Sequence, residues 1–255
     1  MKFDTYIPCD ILKPFVKSIV VQETTSESTY RILPDTSLVI GFQYKGRLSR
    51  LQNDTETPLS ISGISGLADH ARTFKNSPDI GTILVFFHEA CATQFFRQPL
   101  HELFRESVSL DNFMLRSELL CLEDKLANAK TDTQRIAVVE HFLINRMTNT
   151  EPDKLVLAAL TLIHKSKGTI RIKELSEQLF ISQSPLEKRF RQAVGASPKK
   201  FTSIVRLKNV IQQYHSASSL TELGYETGFY DQAHFIKEFR TFTGDTPERF
   251  FSKRN

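Results

Sequence analysis

The chain has 255 residues, of which 40% are hydrophobic and 24% charged, and a net charge of +4. That is the make-up of a soluble globular protein of one large domain or two ordinary ones. It excludes a disulfide framework, because Cys9, Cys91 and Cys121 are odd in number, scattered and in no metal-ligand spacing, as expected of reduced thiols in a cytoplasmic protein. No apolar run approaches the roughly 20 residues that span a bilayer. The start, Met1-Lys2-Phe3-Asp4-Thr5-Tyr6, has no apolar core after a basic end, so no secretory leader and no membrane partner are expected.

The front of the chain reads as strand-rich. Ser18–Gln22, Thr36–Tyr44 and Ile80–Phe87 are β-branched and aromatic runs, separated by turn material at Pro34-Asp35, Lys45-Gly46 and Ser77-Pro78. The pattern changes near Ser109. Apolar residues then recur three or four apart, first Leu115, Leu119, Leu122 and Leu126, then Ile136, Val139, Phe142 and Leu143. This predicts two amphipathic helices over 111–130 and 133–147. The polar stretch 148–154, with Pro152, reads as a linker, and 155–255 reads as helical to the end. Charge divides at the same place. Residues 155–255 hold 16 Lys and Arg against 9 Asp and Glu, a net +7, which leaves 17 against 20, a net −3, for 1–154. A basic rear on an acidic front points to a polyanion as the partner of the rear alone.

The rear contains a repeat at an offset of 49 residues. Aligning 180–201 with 229–250 gives eight identities in 22 positions: Phe180/Phe229, Gln183/Gln232, Lys188/Lys237, Phe190/Phe239, Arg191/Arg240, Gly195/Gly244, Pro198/Pro247 and Phe201/Phe250. Each matched class has a physical task. Ser182 and Asp231 are good residues to cap a helix start. Leu186 and Phe190, like Phe235 and Phe239, make one buried stripe. Gly195 and Gly244 suit the left-handed position that ends a helix. Ser197-Pro198 and Thr246-Pro247 then restart one. Upstream, Glu174-Leu175 matches Glu222-Leu223 at an offset of 48, so the second copy carries one extra residue, placed near Gly228.

Each copy is thus a short helix, a tight turn and a capped second helix, the helix-turn-helix pattern. The expected units are 171–195 and 220–244, joined by a helix over 198–215. Subtracting the buried stripe leaves Gln183, Ser184, Glu187, Lys188 and Arg191 outward on the first reading helix, and Gln232, Ala233, Ile236, Lys237 and Arg240 on the second. Gln suits adenine, Lys guanine, Glu a cytosine amine and Ile a thymine methyl. Gln183, Ser184, Glu187, Lys188, Gln232, Ile236 and Lys237 are therefore the candidate base readers. Arg191, Lys199, Lys200, Arg206 and Arg240 are the candidate phosphate contacts, and Lys208 adds to the basic character of the joining helix.

With those residues in place, Ile172–Phe250 resembles the DNA-binding domain of AraC/XylS-type transcription regulators, and the resemblance extends over 155–251. Its most specific stretch is Gly228-Phe229-Tyr230-Asp231-Gln232-Ala233-His234-Phe235, followed by Phe239 and Gly244-x-Thr246-Pro247. The resemblance implies base-reading roles for Ser184, Glu187, Lys188, Gln232 and Lys237, double-stranded promoter DNA as the partner, and RNA polymerase and a second copy as further partners. Two positions depart from the pattern: Gly224 stands where the family usually has Ala, and Pro185 lies in the first turn of the first reading helix. The front resembles the strand-rich domain that precedes such tails in a subset of the family. The likeness rests on Leu33-Pro34-Asp35, Ile61-Ser62-Gly63, Ile83–Phe87 and Pro99-Leu100-x-Glu102-Leu103, and it implies sensing or dimerisation.

The expected fold is therefore an α+β front domain over 1–147, strand-rich to 108 and helical over 109–147, then an all-α domain of two helix-turn-helix units. Tyr30, Arg31, His70 and Arg72 are the candidates for an effector pocket in the front. His88-Glu89 and His101-Glu102 lack the spacing that puts two imidazoles on one face, so no metal and no cofactor are expected. Without a phosphate loop, nucleophile elbow or paired carboxylates, the chain does not read as an enzyme. The expected function is an effector-responsive transcription regulator. The alternative is a DNA-binding regulator whose front domain is a protein-interaction module without a small ligand.

Overall fold

The computed structural model describes residues 2–53, 55–148, 150–214, 220–229 and 231–252. The expected helix end at 215, the linker residue Asn149 and the motif residue Tyr230 lie outside the described residues. Among the described residues the front half forms ten strands: β1 Lys2–Tyr6, β2 Val16–Thr24, β3 Ser28–Ile32, β4 Val39–Lys45, β5 Leu48–Gln52, β6 Thr55–Pro58, β7 Ser62–Ser65, β8 Arg72–Asn76, β9 Ile80–Phe87 and β10 Ser107–Ser109. They make two antiparallel sheets, ordered β1-β2-β9-β4-β7-β10 and β3-β8-β5-β6.

The apolar run of β9 sits at the centre of the larger sheet, covered on both faces, which is why it does not alternate with polar residues. Its side chains still alternate in direction. Thr82, Leu84 and Phe86 line a cavity between the two sheets. Ile83, Val85 and Phe87 are fully buried in the main hydrophobic core.

Two helices, α1 Arg116–Asn128 and α2 Asp132–Arg146, follow the strands. They bury Leu119, Leu122 and Leu126, then Ile136, Val139, Phe142 and Leu143, and Phe142 meets Phe42 of β4 edge-on at 6.0 Å. Thr131 and Gln134 form a reciprocal capping box that starts α2. Leu115 is not part of the stripe. It occupies the extended position before α1 and is exposed, because the segment from 111 to 115 is a short 3-10 turn and a bend rather than helix. The stripes of α1 and α2 are thus spent on their own sheet. Lys2 and Tyr6 of β1 both bond Asp132, and the Cys9 amide donates to Glu140 at 2.6 Å.

Among the described residues the rear forms seven helices: α3 Lys154–Lys165, α4 Ile172–Gln178, α5 Gln183–Val194, α6 Pro198–Gln213, α7 Leu220–Glu226, α8 Gln232–Thr243 and α9 Pro247–Ser252. Asp153 caps α3 through the Leu155 and Val156 amides and holds Arg189 of α5 in a two-pronged pair, both contacts at 2.7 Å. Among the described residues, no helix is long and apolar enough to cross a membrane.

Candidate functional site

Leu175 and Leu223 are fully buried in α4 and α7, and α5 and α8 bury Leu186, Phe190 and Phe235, Phe239 against them. At roughly 1.5–3 kcal/mol for each large side chain, this stripe fixes which face of each second helix remains outside. Gly195 and Gly244 end the two helices with φ of +91° and +84°, and each amide bonds back to an arginine carbonyl, Arg191 and Arg240. Pro198 and Pro247 open α6 and α9. The caps at the start differ. Asp231 accepts the His234 amide at 2.7 Å, whereas Ser182 holds the cap position without a side-chain hydrogen bond.

The turn between the paired helices corrects one identity. In the first copy the amides of Leu179, Phe180 and Ile181 bond the carbonyls of Leu175, Glu177 and Ser176. In the second, Thr227, Gly228 and Phe229 bond Leu223, Tyr225 and Gly224, an offset of 48 throughout. Phe180 therefore matches Gly228, both at positive φ (52° and 80°), and buried Phe229 matches Ile181. The extra residue of the second copy falls at position 230, after Phe229. The Phe180/Phe229 identity is a coincidence of sequence, and Phe180 stands 97% exposed.

Gln183, Ser184, Glu187, Lys188 and Arg191 are all exposed on α5, as are Gln232, Ala233, Ile236, Lys237 and Arg240 on α8. The α5 set faces an open groove whose far wall is His101, in a 3-10 turn over Leu100–Leu103 of the front. The candidate phosphate cations are placed less uniformly. Arg191, Lys199 and Arg240 are exposed. Arg206 is turned inward: it pairs with Glu238 at 2.7 Å and lies over the Phe229 ring at 4.4 Å, so it ties α6 to α8 instead of facing solvent. Lys200 pairs with Asp69 at 2.6 Å and Lys208 with Asp35 at 2.5 Å, and both carboxylates belong to the front.

Asp69 also accepts both Arg105 donors at 2.8 Å and lies 3.2 Å from His70 Nδ1. Burial alone pushes its carboxyl upward, but the hydrogen bonds from Arg105, Lys200 and His70 hold it well below the usual carboxylate range. Nothing local in the sequence marks these long-range pairs.

Of the four pocket candidates, Tyr30, His70 and Arg72 line the cavity of about 250 Å³ between the two sheets. Arg31 does not. As the next residue along β3 it points to the other face, where its Nη1 donates to the Thr243 carbonyl at 3.0 Å and to Asp245 at 3.2 Å. A guanidinium at the last carbonyls of α8 is a favourable partner for that helix end. Pro34, Asp35, Ala68 and His70 also line the cavity, close to the two contacts with α6.

Residues 175–253 match the model of a helix-turn-helix domain, and residues 4–109 match a domain of unknown function, DUF6597. Among curated proteins, the chain is 28% identical over 120 residues to the Msm operon regulatory protein of Streptococcus mutans, covering 45% of this chain and 42% of that one. It is 27% identical over 113 residues to the HTH-type transcriptional regulator ArgR of Pseudomonas aeruginosa, covering 44% and 34%. The matches therefore span less than half the length of these relatives. Among solved structures, ToxT from Vibrio cholerae aligns with 99% of this chain and 98% of its own at 10% identity and a TM-score of 0.47. The rear of the chain thus carries a helix-turn-helix domain, and the curated proteins it is similar to are transcription regulators.

Proposed function

We propose that the chain is a DNA-binding transcription regulator that reads two successive major grooves and answers to a small ligand held in its front half. One observation carries the DNA reading: α5 and α8 share a buried stripe and a glycine stop, and each presents an exposed polar face. The 16 residues of α6 span about 24 Å. That suits two helices set about 34 Å apart along one face of the duplex. On this reading Gln183, Ser184, Glu187 and Lys188 meet the bases of one box, and Gln232, Ile236 and Lys237 those of the other. Arg191, Lys199 and Arg240 meet phosphates, joined by Lys200 once Asp69 releases it. RNA polymerase and a second copy of the chain are further partners under this proposal, and sedimentation of the full chain tests the second.

Selection of random duplexes by the full protein tests the reading. The expected product is two boxes centred about 10 base pairs apart. Lys188→Ala should relax preference in one box and Lys237→Ala in the other, each by about 1–3 kcal/mol. Enrichment of no sequence, with steep salt-dependent binding to every duplex, would refute it. The walled cavity favours a ligand-responsive front over a pure protein-interaction module. A thermal-shift screen with small metabolites separates the two, because only the former gains stability from a bound compound.

A further inference from the structure

Arg72 is a buried cation without an anion. On β8 it shares the inward face with Phe74 and is 8% exposed. Its Nη2 donates to the Gly66 carbonyl at 2.8 Å, and Nη1 makes a long contact of 3.4 Å to Ser107. Nε is buried with no partner. Among the described residues no carboxylate forms an ion pair with this guanidinium. Nearby Asp69 is already occupied by Arg105, Lys200 and His70. Glu106 attracts Arg72 and Arg50 repels it, both from beyond contact distance, and burial lowers its pKa to about 10, which leaves it charged at neutral pH. Such a group is costly in place unless something pairs with it.

The cavity that Arg72 lines is otherwise largely apolar, with Val39, Leu48, Ile64, Phe74, Leu84 and Phe86 on its walls. Arg72 is the one Lys or Arg on the described wall. The one carboxylate there, Asp35, is held by Lys208. Its volume of about 250 Å³ is on the scale of a small organic molecule rather than of a few waters.

We infer that this cavity binds a small organic monoanion, a carboxylate seated on Arg72 with a compact apolar body filling the space between the sheets. The inference rests on the proposal that the front half is a ligand sensor, and it names the ligand class. A guanidinium offers Nε and the spare protons of its terminal nitrogens in a flat fork that matches a carboxylate. With Arg72 the one Lys or Arg on a largely apolar wall, and His70 there already beside Asp69, the wall favours one negative charge over the two of a phosphate dianion.

Calorimetry and thermal shift on the full chain test this with octanoate and 3-phenylpropanoate, each against its neutral primary amide. The expected result is an acid at least about tenfold tighter than its amide. That preference should disappear in Arg72→Gln and be partly kept in Arg72→Lys. Equal binding of acid and amide to the wild type would overturn the anion assignment while leaving the sensor reading intact, and this comparison needs no variant to fold. Acid binding that survives in folded Arg72→Gln would also overturn it. If neither these probes nor a metabolite screen stabilises the protein, and filling the cavity with Leu84→Trp leaves DNA binding unchanged, the sensor reading itself fails and takes this inference with it.

Discussion

Replacing Asp69 with asparagine removes one charge and almost no volume from the contact that joins the front half to α6. The side chain is 10% exposed and receives Arg105 twice at 2.8 Å and Lys200 at 2.6 Å. Charge-assisted hydrogen bonds are worth about 1.5–3 kcal/mol each, and breaking a fully buried pair costs about 3–5. Here both cations are half exposed and regain water, so the expected loss is about 1–3 kcal/mol. At about 2–4 °C per kcal/mol for a chain of this size, the melting temperature should fall by roughly 2–12 °C. The sign with pH is fixed by the direction of the shift. A carboxyl held below its unfolded value contributes fully above that value, about 3.9, and loses its contribution as pH falls toward the lower folded value. The gap between Asp69→Asn and the wild type should therefore be complete at pH 6 and shrink below about pH 4. The same substitution frees Lys200 for a phosphate, which should steepen the salt dependence of DNA binding by about 0.9 in log–log slope. Urea unfolding across pH and salt-titrated binding to a selected duplex measure both effects. A stability gap unchanged at pH 3 would refute the electrostatic account. So would a slope that does not return to the wild-type value when Lys200→Ala is added.

Three local substitutions probe the repeat. In Gly224→Ala the new methyl would meet the Phe235 ring at 3.4–3.7 Å, an ordinary contact, so the variant should gain about 0.5–1 kcal/mol in urea unfolding; a loss would mean that α7 and α8 are packed too closely for it. Phe180→Gly should relieve the roughly 1–2 kcal/mol cost of a left-handed phenylalanine, less about 0.5–1 for glycine's freedom in the unfolded chain. A clear drop in melting temperature would show that the exposed ring has a partner. Gly195→Ala places a methyl 3.0 Å from the Leu100 carbonyl at a φ of +91°, and should cost about 1–2 kcal/mol by the same unfolding assay.

The features legible in the sequence are those whose physics is local. The stripes Leu186/Phe190 and Phe235/Phe239, the glycine stops and the prolines that open α6 and α9 all depend on spacings of a few residues, and the structure uses each of them. In the turn the identical Phe180 and Phe229 lie one residue out of structural register, because identity does not report backbone conformation. In the front half, β2, β4 and β9 carry long apolar runs and stand out. The strands β6 and β8 do not: Thr55–Pro58 is exposed throughout, and Arg72–Asn76 turns Arg72, Phe74 and Asn76 inward, a set that hydrophobic patterning does not mark as an inner face. Tyr30 and Arg31 illustrate the same limit. Their residue types suit a pocket equally, and the two-residue period of the strand allows only one to face it. Lys200, Arg206 and Lys208 show that sequence supplies the sign of a charge and not its partner, which here lies 131, 32 and 173 residues away.

Those distant partners also bear on how a sensor in the front would act on the rear. The front touches both copies of the repeat at the same corner, the glycine stop after the reading helix. At the first corner the Leu100 carbonyl lies where a methyl on Gly195 would stand at 3.0 Å, and at the second Arg31 holds Thr243 and Asp245 on either side of Gly244. Between them, Asp69 and Asp35 hold α6 at two points about two turns apart, through Lys200 and Lys208. Asp35 and His70 line the cavity, and Tyr30 precedes Arg31 on a cavity strand. A ligand changes an equilibrium only by its difference in affinity for the two states. Reading two grooves at once requires α5 and α8 to keep one relative setting, and three of these four contacts leave the cavity wall or the residue beside it. A small displacement of the wall is therefore presented to the second reading helix and the joining helix together. Sequence-specific binding to two boxes should respond to such a displacement more strongly than binding to a single box, where only one helix has to fit.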